Sequence, residues 1–333
     1  MLKKGCVPRT LRAVGRRLSK RRSNSSSAHA VENDTAGANV RYALKDHRSE
    51  LNRLRIQHNI FSGRCQNFYK QGLISYGDKI VDVGCGPGYN TTELAEIAGK
   101  DGSVFAVDSS VESLEFLKQR AASHGWEEGA SGVFVHESGQ LGDIRPVHAS
   151  IEEPLPATHA KSMQGLDRAF VRWVLTWLEN PNQAIQHIGK MLRPGGTVAI
   201  FDYYHVKTFA LHSPVPTPMF DKLLDTLLDE WLQHGNPSVG LDIPHYLLEN
   251  NFEVSSVEPF APIIRAGSTE WIWPTTYFYT QINRIHRDNP KTFTKSDVEQ
   301  FLLEWEEIGK HGGASFYSPP MMCEIIGTKK NLL

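Results

Sequence analysis

Lys79-Ile80-Val81-Asp82-Val83-Gly84-Cys85-Gly86-Pro87-Gly88-Tyr89-Asn90 is the stretch whose reading decides the fold. Ile80, Val81 and Val83 make a short β-branched run, apolar on both faces, which predicts a strand in the interior of a sheet. Three glycines at alternate positions follow at once. Thr91-Thr92-Glu93-Leu94-Ala95-Glu96-Ile97-Ala98 then has helical spacing, with Asn90 or Thr91 placed as its cap. Strand, glycine turn and helix form the first half of a doubly wound nucleotide site.

The details of the turn choose between ligands. A dinucleotide fingerprint runs G-x-G-x-x-G and brings a helix N-terminus to a pyrophosphate. Here the third glycine comes one position early, and Asp82 sets a carboxylate where a pyrophosphate would be repelled. That acid suits a cation instead. The ammonium and sulfonium of S-adenosylmethionine are such cations, and Gly84, Gly86 and Gly88 let a backbone approach the ligand closely. A second strand, Ser103-Val104-Phe105-Ala106-Val107, ends in Asp108, whose carboxylate can accept hydrogen bonds from both ribose hydroxyls.

Asp82-Val83-Gly84-Cys85-Gly86-Pro87-Gly88 with Asp108 resembles the first two motifs of class I S-adenosylmethionine-dependent methyltransferases of the small-molecule type. Met191-Leu192-Arg193-Pro194-Gly195-Gly196-Thr197-Val198-Ala199-Ile200-Phe201-Asp202 resembles that family's late turn and fifth strand. Arg172-Trp173-Val174-Leu175-Thr176-Trp177-Leu178 with Pro181 resembles its loop after strand four. The resemblance implies an α/β, Rossmann-like doubly wound sheet of seven strands, mostly parallel with an antiparallel last strand, plus a helical N-terminal extension and a lid. It implies a methyltransferase domain over 41–333, with core 77–205, lid or insertion 206–314 and final strand 315–328. It also implies that Asp82, Gly84, Gly86, Gly88, Asp108, Ser109, Ser150, Ile151 and Arg172 contact the cofactor, S-adenosylmethionine. Where members often carry an acid for the adenine amino group, this chain has Ala149 and Ser150. Ser150 still accepts a hydrogen bond, and Ile151 is placed to pack on the ring.

The 333 residues carry a net charge of −1 that hides an asymmetry. Residues 1–31 hold nine Lys or Arg (Lys3, Lys4, Arg9, Arg12, Arg16, Arg17, Lys20, Arg21, Arg22) and no acid. Removing them from 36 leaves 27 basic against 37 acidic residues, so the body carries −10. An acidic body repels phosphates, which argues against a nucleic-acid partner. The tail over 1–40, rich in serine, with Leu2, Val7, Leu11, Val14 and Leu18 at near-helical spacing, fits a mitochondrial or plastid transit peptide. A basic disordered tail, a nuclear-type Lys20-Arg21-Arg22 cluster and a cytoplasmic protein are the alternatives. No stretch approaches the ~18 apolar residues of a membrane span, so a soluble protein is expected. Cys6, Cys65, Cys85 and Cys323 have no C-x-x-C spacing and suggest neither a zinc site nor a disulfide framework.

Before the first strand, residues 42–69 predict one or two amphipathic helices. They resemble an entry helix that closes over the cofactor, which makes Tyr42 and Gln57 site candidates, Tyr42 for the substrate; a helix that only packs is the alternative. Gly132–His136 reads as an inserted strand or hairpin arm, Ile144–Ala149 as strand three, Asp167–Val171 as strand four and Thr197–Phe201 as strand five. In open α/β sheets ligands sit at the carboxyl ends of strands, so Arg172, Trp173 and Trp177 are expected near the reaction centre, with Trp177 equally placed for the core, and strand five brings Asp202, Tyr203, Tyr204 and His205 to the same edge. Phe252–Val257 is expected as strand six. The insertion 260–314 holds Trp271, Trp273, Tyr277, Phe278 and Tyr279, which form either an aromatic lid over a planar acceptor or a satellite core.

A sulfonium methyl is already activated, so such an enzyme aligns the acceptor and excludes water. His205 is the candidate base by intrinsic pKa, with Asp202 and Tyr203 behind it. No ligand-spaced His/Asp/Glu set argues for a metal. The resulting expectation is methyl transfer to a small, aromatic or hydrophobic acceptor. The competing readings are a non-catalytic binder of the same cofactor, acting as regulator or assembly factor, and a nicotinamide-dependent oxidoreductase.

Overall fold

A computed structural model describes residues 47–129 and 131–331. The basic tail and Tyr42 lie outside them. The described chain forms two compact units, a smaller one from residues up to 56, 205–235 and 261–321, and a larger one from 57–204, 236–260 and 322 onward. Residues 206–314, expected as a single lid, are therefore shared, since 236–260 belong to the larger unit.

The larger unit is built on the stretch that opens the sequence reading. β1 (Lys79–Val83) is buried from Ile80 onward, and each of its apolar side chains contributes about 1.5–3 kcal/mol by leaving water. The chain before it is the helix α1 (His47–Gln71). After it come α2 (Tyr89–Ala98), β2 (Ser103–Asp108) and α3 (Val111–Ser123), the last capped by the Ser110 hydroxyl. Three strands follow, β3 (Trp126–Glu128), β4 (Phe134–His136) and β5 (Asp143–His148). Then come β6 (Leu166–Arg172), α4 (Pro181–Met191) and β7 (Leu192–His205). The ladder of β7 starts before Pro194-Gly195-Gly196, so this strand is far longer than the Thr197–Phe201 segment expected.

β9 (Phe252–Phe260) and β12 (Met321–Lys329) complete a sheet of order β3-β4-β5-β2-β1-β6-β7-β12-β9. β1 is parallel to β2 and β6, β2 to β5, and β6 to β7. β12 runs antiparallel to β9. Seven strands thus follow the expected plan, but the sheet has nine. The extra pair is the antiparallel hairpin β3–β4, added at the β5 edge and pinned by Trp126, whose indole N–H donates to the Gly142 carbonyl at 3.0 Å.

The single final strand expected over 315–328 is two strands in two sheets. β11 (Phe316–Ser318) pairs with β10 (Ile264–Arg265) and β8 (Ala210–His212), all antiparallel, in the smaller unit. Pro319 and Pro320 separate it from β12 because proline has no N–H to continue a ladder. The smaller unit also holds α5 (Pro218–His234), α7 (Ile272–Asp288) and α8 (Lys295–Lys310), while α6 (Ile243–Glu249) is part of the larger one. Its core is aromatic: Phe220 meets Phe278 edge-on at 4.9 Å, and Trp271 stacks on Trp305 at 5.0 Å.

Candidate cofactor site

Register in the parallel ladder builds the site. Val83 pairs with Val107 on β2 and with Val171 on β6. The residues that follow each of these, Gly84, Asp108 and Arg172, therefore emerge level at the carboxyl edge of the sheet, where open α/β folds bind ligands. Gly84, Gly86 and Gly88 have φ of +63°, +54° and +80°, a region that costs other residues about 1–2 kcal/mol. A Cβ on Gly84 would stand 2.4 Å from Val174 Cγ2, and one on Gly88 would stand 2.8 Å from Leu117 Cγ. One on Gly86 would meet nothing within 4 Å. Two of the glycines are demanded by packing, and the middle one borders open space.

A carboxylate stands on either side of that space in sequence. Asp108 accepts the Gly86 N–H at 2.8 Å and the Ser110 N–H at 2.8 Å, so the end of β2 holds the glycine turn in shape. Burial pushes its carboxyl up, with the N–H groups of Ser110 and Gly86 and the nearby His148 pulling back. Asp82 is only 1% exposed. It accepts the Thr91 hydroxyl at 2.6 Å, and burial pushes its carboxyl up to about 7, against the pull of Thr91 and the Arg172 cation. Thr91 is thus no helix cap: α2 is preceded by Gly88 and has no side-chain cap bond.

Behind these acids lies a network that sequence reasoning missed except for Arg172. Arg172 donates to Cys65 Sγ at 3.3 Å and faces His58 Nδ1 at 3.5 Å. No carboxylate of the described residues comes within 4.0 Å of it. His58 Nε2 lies 3.2 Å from Glu93, which also accepts the Tyr69 hydroxyl at 2.8 Å. Burial opposes the ionised form of Glu93, but His58 and Tyr69 together hold its carboxyl below its ordinary value. The available signal was spacing: 58, 65 and 69 share one face of α1. Gln57, beside them in sequence, is also buried.

The adenine-side expectations fare differently. Ser109 is exposed, with its carbonyl 3.1 Å from His148 Nε2. Ser150 accepts the Glu152 N–H at 3.3 Å, which engages its hydroxyl in a local turn. Ile151 is buried in the apolar core with Val107 and Val147, and its carbonyl faces His187 Nδ1 at 2.8 Å.

Of the expected catalytic residues, Asp202 is fully buried. It accepts the N–H groups of Tyr203 at 2.8 Å and Thr176 at 3.3 Å, and burial pushes its carboxyl up to about 7 against those bonds. That arrangement holds the Leu175–Trp177 turn in place, so the structure gives Asp202 a supporting position and presents no free carboxylate there. Tyr203 is half-buried beside Trp173, their rings 6.4 Å apart. His205 is half-buried at the end of β7, and burial, with Lys207 behind it, lowers its imidazole below the ordinary value.

Trp173 follows β6 with φ of +55°, a conformation that costs a bulky residue on the order of 1–3 kcal/mol. Its ring packs on Phe201 at 5.3 Å and on the edge of Phe61 at 5.4 Å, and the Arg172 guanidinium lies 5.0 Å from its centre. Trp271 and Trp273 are buried in the smaller unit, packed on Trp305 and Tyr317, which is the satellite-core arrangement. Among the described residues no group of three or more His, Cys, Asp or Glu is placed to hold a metal ion, and no helix is long and apolar enough to cross a membrane.

A family model described as a methyltransferase domain matches residues 74–230. The chain is similar to an uncharacterized 37.1 kDa protein of transposon TN4556 from Streptomyces fradiae, 26% identical over 198 residues, covering 57% of this chain and 47% of that one. It is similar to the ubiquinone/menaquinone biosynthesis C-methyltransferase of Vibrio cholerae, 23% identical over 177 residues, covering 51% and 57%. The chain spans about half the length of these curated relatives. In backbone it resembles a crystal structure of a Bacillus halodurans protein assigned as a methyltransferase, with TM-score 0.50 and 14% identity over 80% of this chain and 98% of that one. That likeness bears on the fold, and it agrees with the mostly parallel sheet described above.

Proposed function

We propose that this chain, whose residues 74–230 match a methyltransferase-domain model, uses S-adenosylmethionine to methylate a small acceptor of aromatic or hydrophobic character. The observation that carries the reading is the buried Asp82 carboxylate at the foot of three left-handed glycines. A phosphate ligand would meet repulsion there, whereas a cationic ligand supplies the counter-charge that a buried carboxylate needs. The residues fit the cofactor in two further respects. Gly86 borders open space beside Asp108, whose oxygens suit ribose hydroxyls, and Arg172 offers a cation with no carboxylate within 4.0 Å.

S-adenosylmethionine, when bound, supplies a methyl group already activated by its sulfonium. The protein's part is to bind, orient and keep water out. In this reading Asp82 and Asp108 hold the ammonium and ribose ends, and the glycine turn lets the backbone come close. His205 is the proton acceptor for an acidic acceptor group, its lowered imidazole being neutral and able to accept at pH 7. The basic, acid-free residues 1–31 support mitochondrial import as part of the same reading.

Calorimetric titration of the full chain with S-adenosylhomocysteine and with NADH tests the cofactor. Binding of the first and not the second is expected, and the reverse result sinks the proposal. A metabolite extract incubated with labelled methyl donor, comparing the wild type with Asp82→Asn, then reads out transfer. Cofactor binding without any labelled product would mark a non-catalytic protein.

A further inference from the structure

Trp173 combines two features that neither packing nor the ladder requires. Its backbone is held at φ of +55°, outside the region open to a bulky side chain, and such strain persists where a site over-determines it. Its indole Nε1 is buried and finds no hydrogen-bond partner among the described residues, although a buried N–H is nearly always satisfied. The main chain does not explain the strain away, since the Trp173 N–H already donates to the Phe201 carbonyl at 2.8 Å and simply extends the β6–β7 ladder.

The surroundings say what such a donor would meet. The ring lies among Phe61, Phe201 and Tyr203, and Phe260 meets both Phe61 and Phe201 at 5.9 Å. An aromatic cluster of this kind favours an aromatic ring over an aliphatic chain at its edge. The Arg172 guanidinium lies over the indole at 5.0 Å, held by the Cys65 thiol and facing the His58 ring, so a cation that also acts on Asp82 stands next to the donor. Aromatic walls, one unpaired N–H donor and a nearby cation together select a ring that carries an oxyanion.

We propose that Trp173 is a specificity-determining residue whose indole N–H donates to an oxyanion, phenolate, enolate or carboxylate, on an aromatic methyl acceptor. The inference rests on the methyltransferase reading above and adds the acceptor's charge and the residue that recognises it.

The test uses the full chain saturated with S-adenosylhomocysteine and two probes, 2-naphthoate and 2-methylnaphthalene, which share a ring system and differ in the oxyanion. Wild-type protein is expected to bind 2-naphthoate. Trp173→Phe, which keeps an aromatic ring but loses the N–H, is expected to bind it about ten- to hundredfold more weakly, as for one lost hydrogen bond to a charged group. Its affinity for S-adenosylhomocysteine should stay unchanged, and 2-methylnaphthalene should not distinguish the two proteins. In nitrogen-15 spectra, one of the seven tryptophan indole resonances should move downfield with 2-naphthoate and stay in place with 2-methylnaphthalene. This measurement needs no variant to fold. Equal naphthoate binding by both proteins, no binding by either, or seven unmoved indole resonances overturns the inference. Failure to bind S-adenosylhomocysteine in the first place would instead overturn the cofactor reading, so the two failures are told apart.

Discussion

The Thr91 hydroxyl donates to the Asp82 carboxylate at 2.6 Å, across the glycine turn that separates the two in sequence. That bond is a partial compensation, since burial still pushes the Asp82 carboxyl up to about 7. An unfolded aspartate titrates near ~3.9, so folding tightens the hold on this proton. Stability from the group is full below about pH 4 and is lost as pH rises toward 7. A bound cation favours the ionised form, so below pH 7 binding must release a proton. Affinity for S-adenosylhomocysteine is therefore expected to rise about 25-fold from pH 5.5 to 7.5 and then level off, with proton uptake by the buffer visible in calorimetry at the acid end. Asp82→Asn should flatten that dependence. It should also stabilise the ligand-free protein at pH 8 by on the order of 2–4 kcal/mol, because the cost of ionising a buried acid is removed. An unchanged pH profile in the variant would remove Asp82 from the cofactor site.

Gly84 and Gly86 separate packing from binding. Both have positive φ, so alanine at either pays the left-handed cost of about 1–2 kcal/mol. At Gly84 the added Cβ also strikes Val174 at 2.4 Å, and overpacking adds about 1–3 kcal/mol. At Gly86 it strikes nothing within 4 Å and enters the space read as the cofactor's. Denaturant melts should therefore rank Gly84→Ala as the less stable variant. Calorimetry should rank Gly86→Ala as the weaker binder relative to its stability loss. If Gly86→Ala binds S-adenosylhomocysteine like wild type, the open space is not the ligand's.

The strand-turn-helix of residues 79–98 was legible because its signals are local: β-branched residues, glycines at fixed offsets and a helical period. That Arg172 stands at the carboxyl edge of the sheet followed from assuming parallel strands, and the register of β1 with β2 and β6 shows that Gly84 and Asp108 leave the sheet level with it. What stayed illegible depends on partners far apart in sequence. Thr91 looked like a cap, and nothing nearby told that its hydroxyl turns to Asp82. His58, Cys65 and Tyr69 share one helix face by spacing, but nothing local tells that this face turns to Arg172, 107 residues on from Cys65. Asp202 looked like an acid at a strand end, and only the fold shows its oxygens taken by main-chain N–H groups. Pro319-Pro320 was a local signal that outweighed the apolar run around it and split the last strand.

Asp108 holds the glycine turn with the same oxygens that the proposed function assigns to the ribose. Its contacts with the Gly86 and Ser110 N–H groups, both 2.8 Å, shape the glycine turn before any ligand arrives. Asp108→Ala leaves two donors without an acceptor, so it should lower stability by about 1–3 kcal/mol and weaken S-adenosylhomocysteine by about 1.5–3 kcal/mol for each lost bond to the charged group. Asp108→Asn keeps one carbonyl oxygen and should lie between. Paired thermal melts and titrations of the two variants check the order. A variant that loses stability but binds normally would leave Asp108 as a brace for the turn alone.

Arg64 and Glu324 join α1 to β12 by a two-pronged bond, Nε to Oε1 at 2.8 Å and Nη2 to Oε2 at 2.5 Å. Their exposure is unequal, with side chains 35% and 1% accessible, so the carboxylate has nowhere to find water if the arginine leaves. Burial already pushes the Glu324 carboxyl up, and Arg64 pulls it partly back. Arg64→Ala should therefore cost on the order of 2–4 kcal/mol at pH 8, where an unpaired buried charge must be held. The loss should shrink at pH 5.5, because without its partner Glu324 takes up a proton and the penalty for charge disappears. Adding Glu324→Gln to Arg64→Ala should recover much of the pH 8 loss. Urea unfolding at the two pH values measures all three variants. An equal loss at both would assign the effect to the guanidinium's packing on the Phe260 ring, 5.1 Å away, and not to the ion pair.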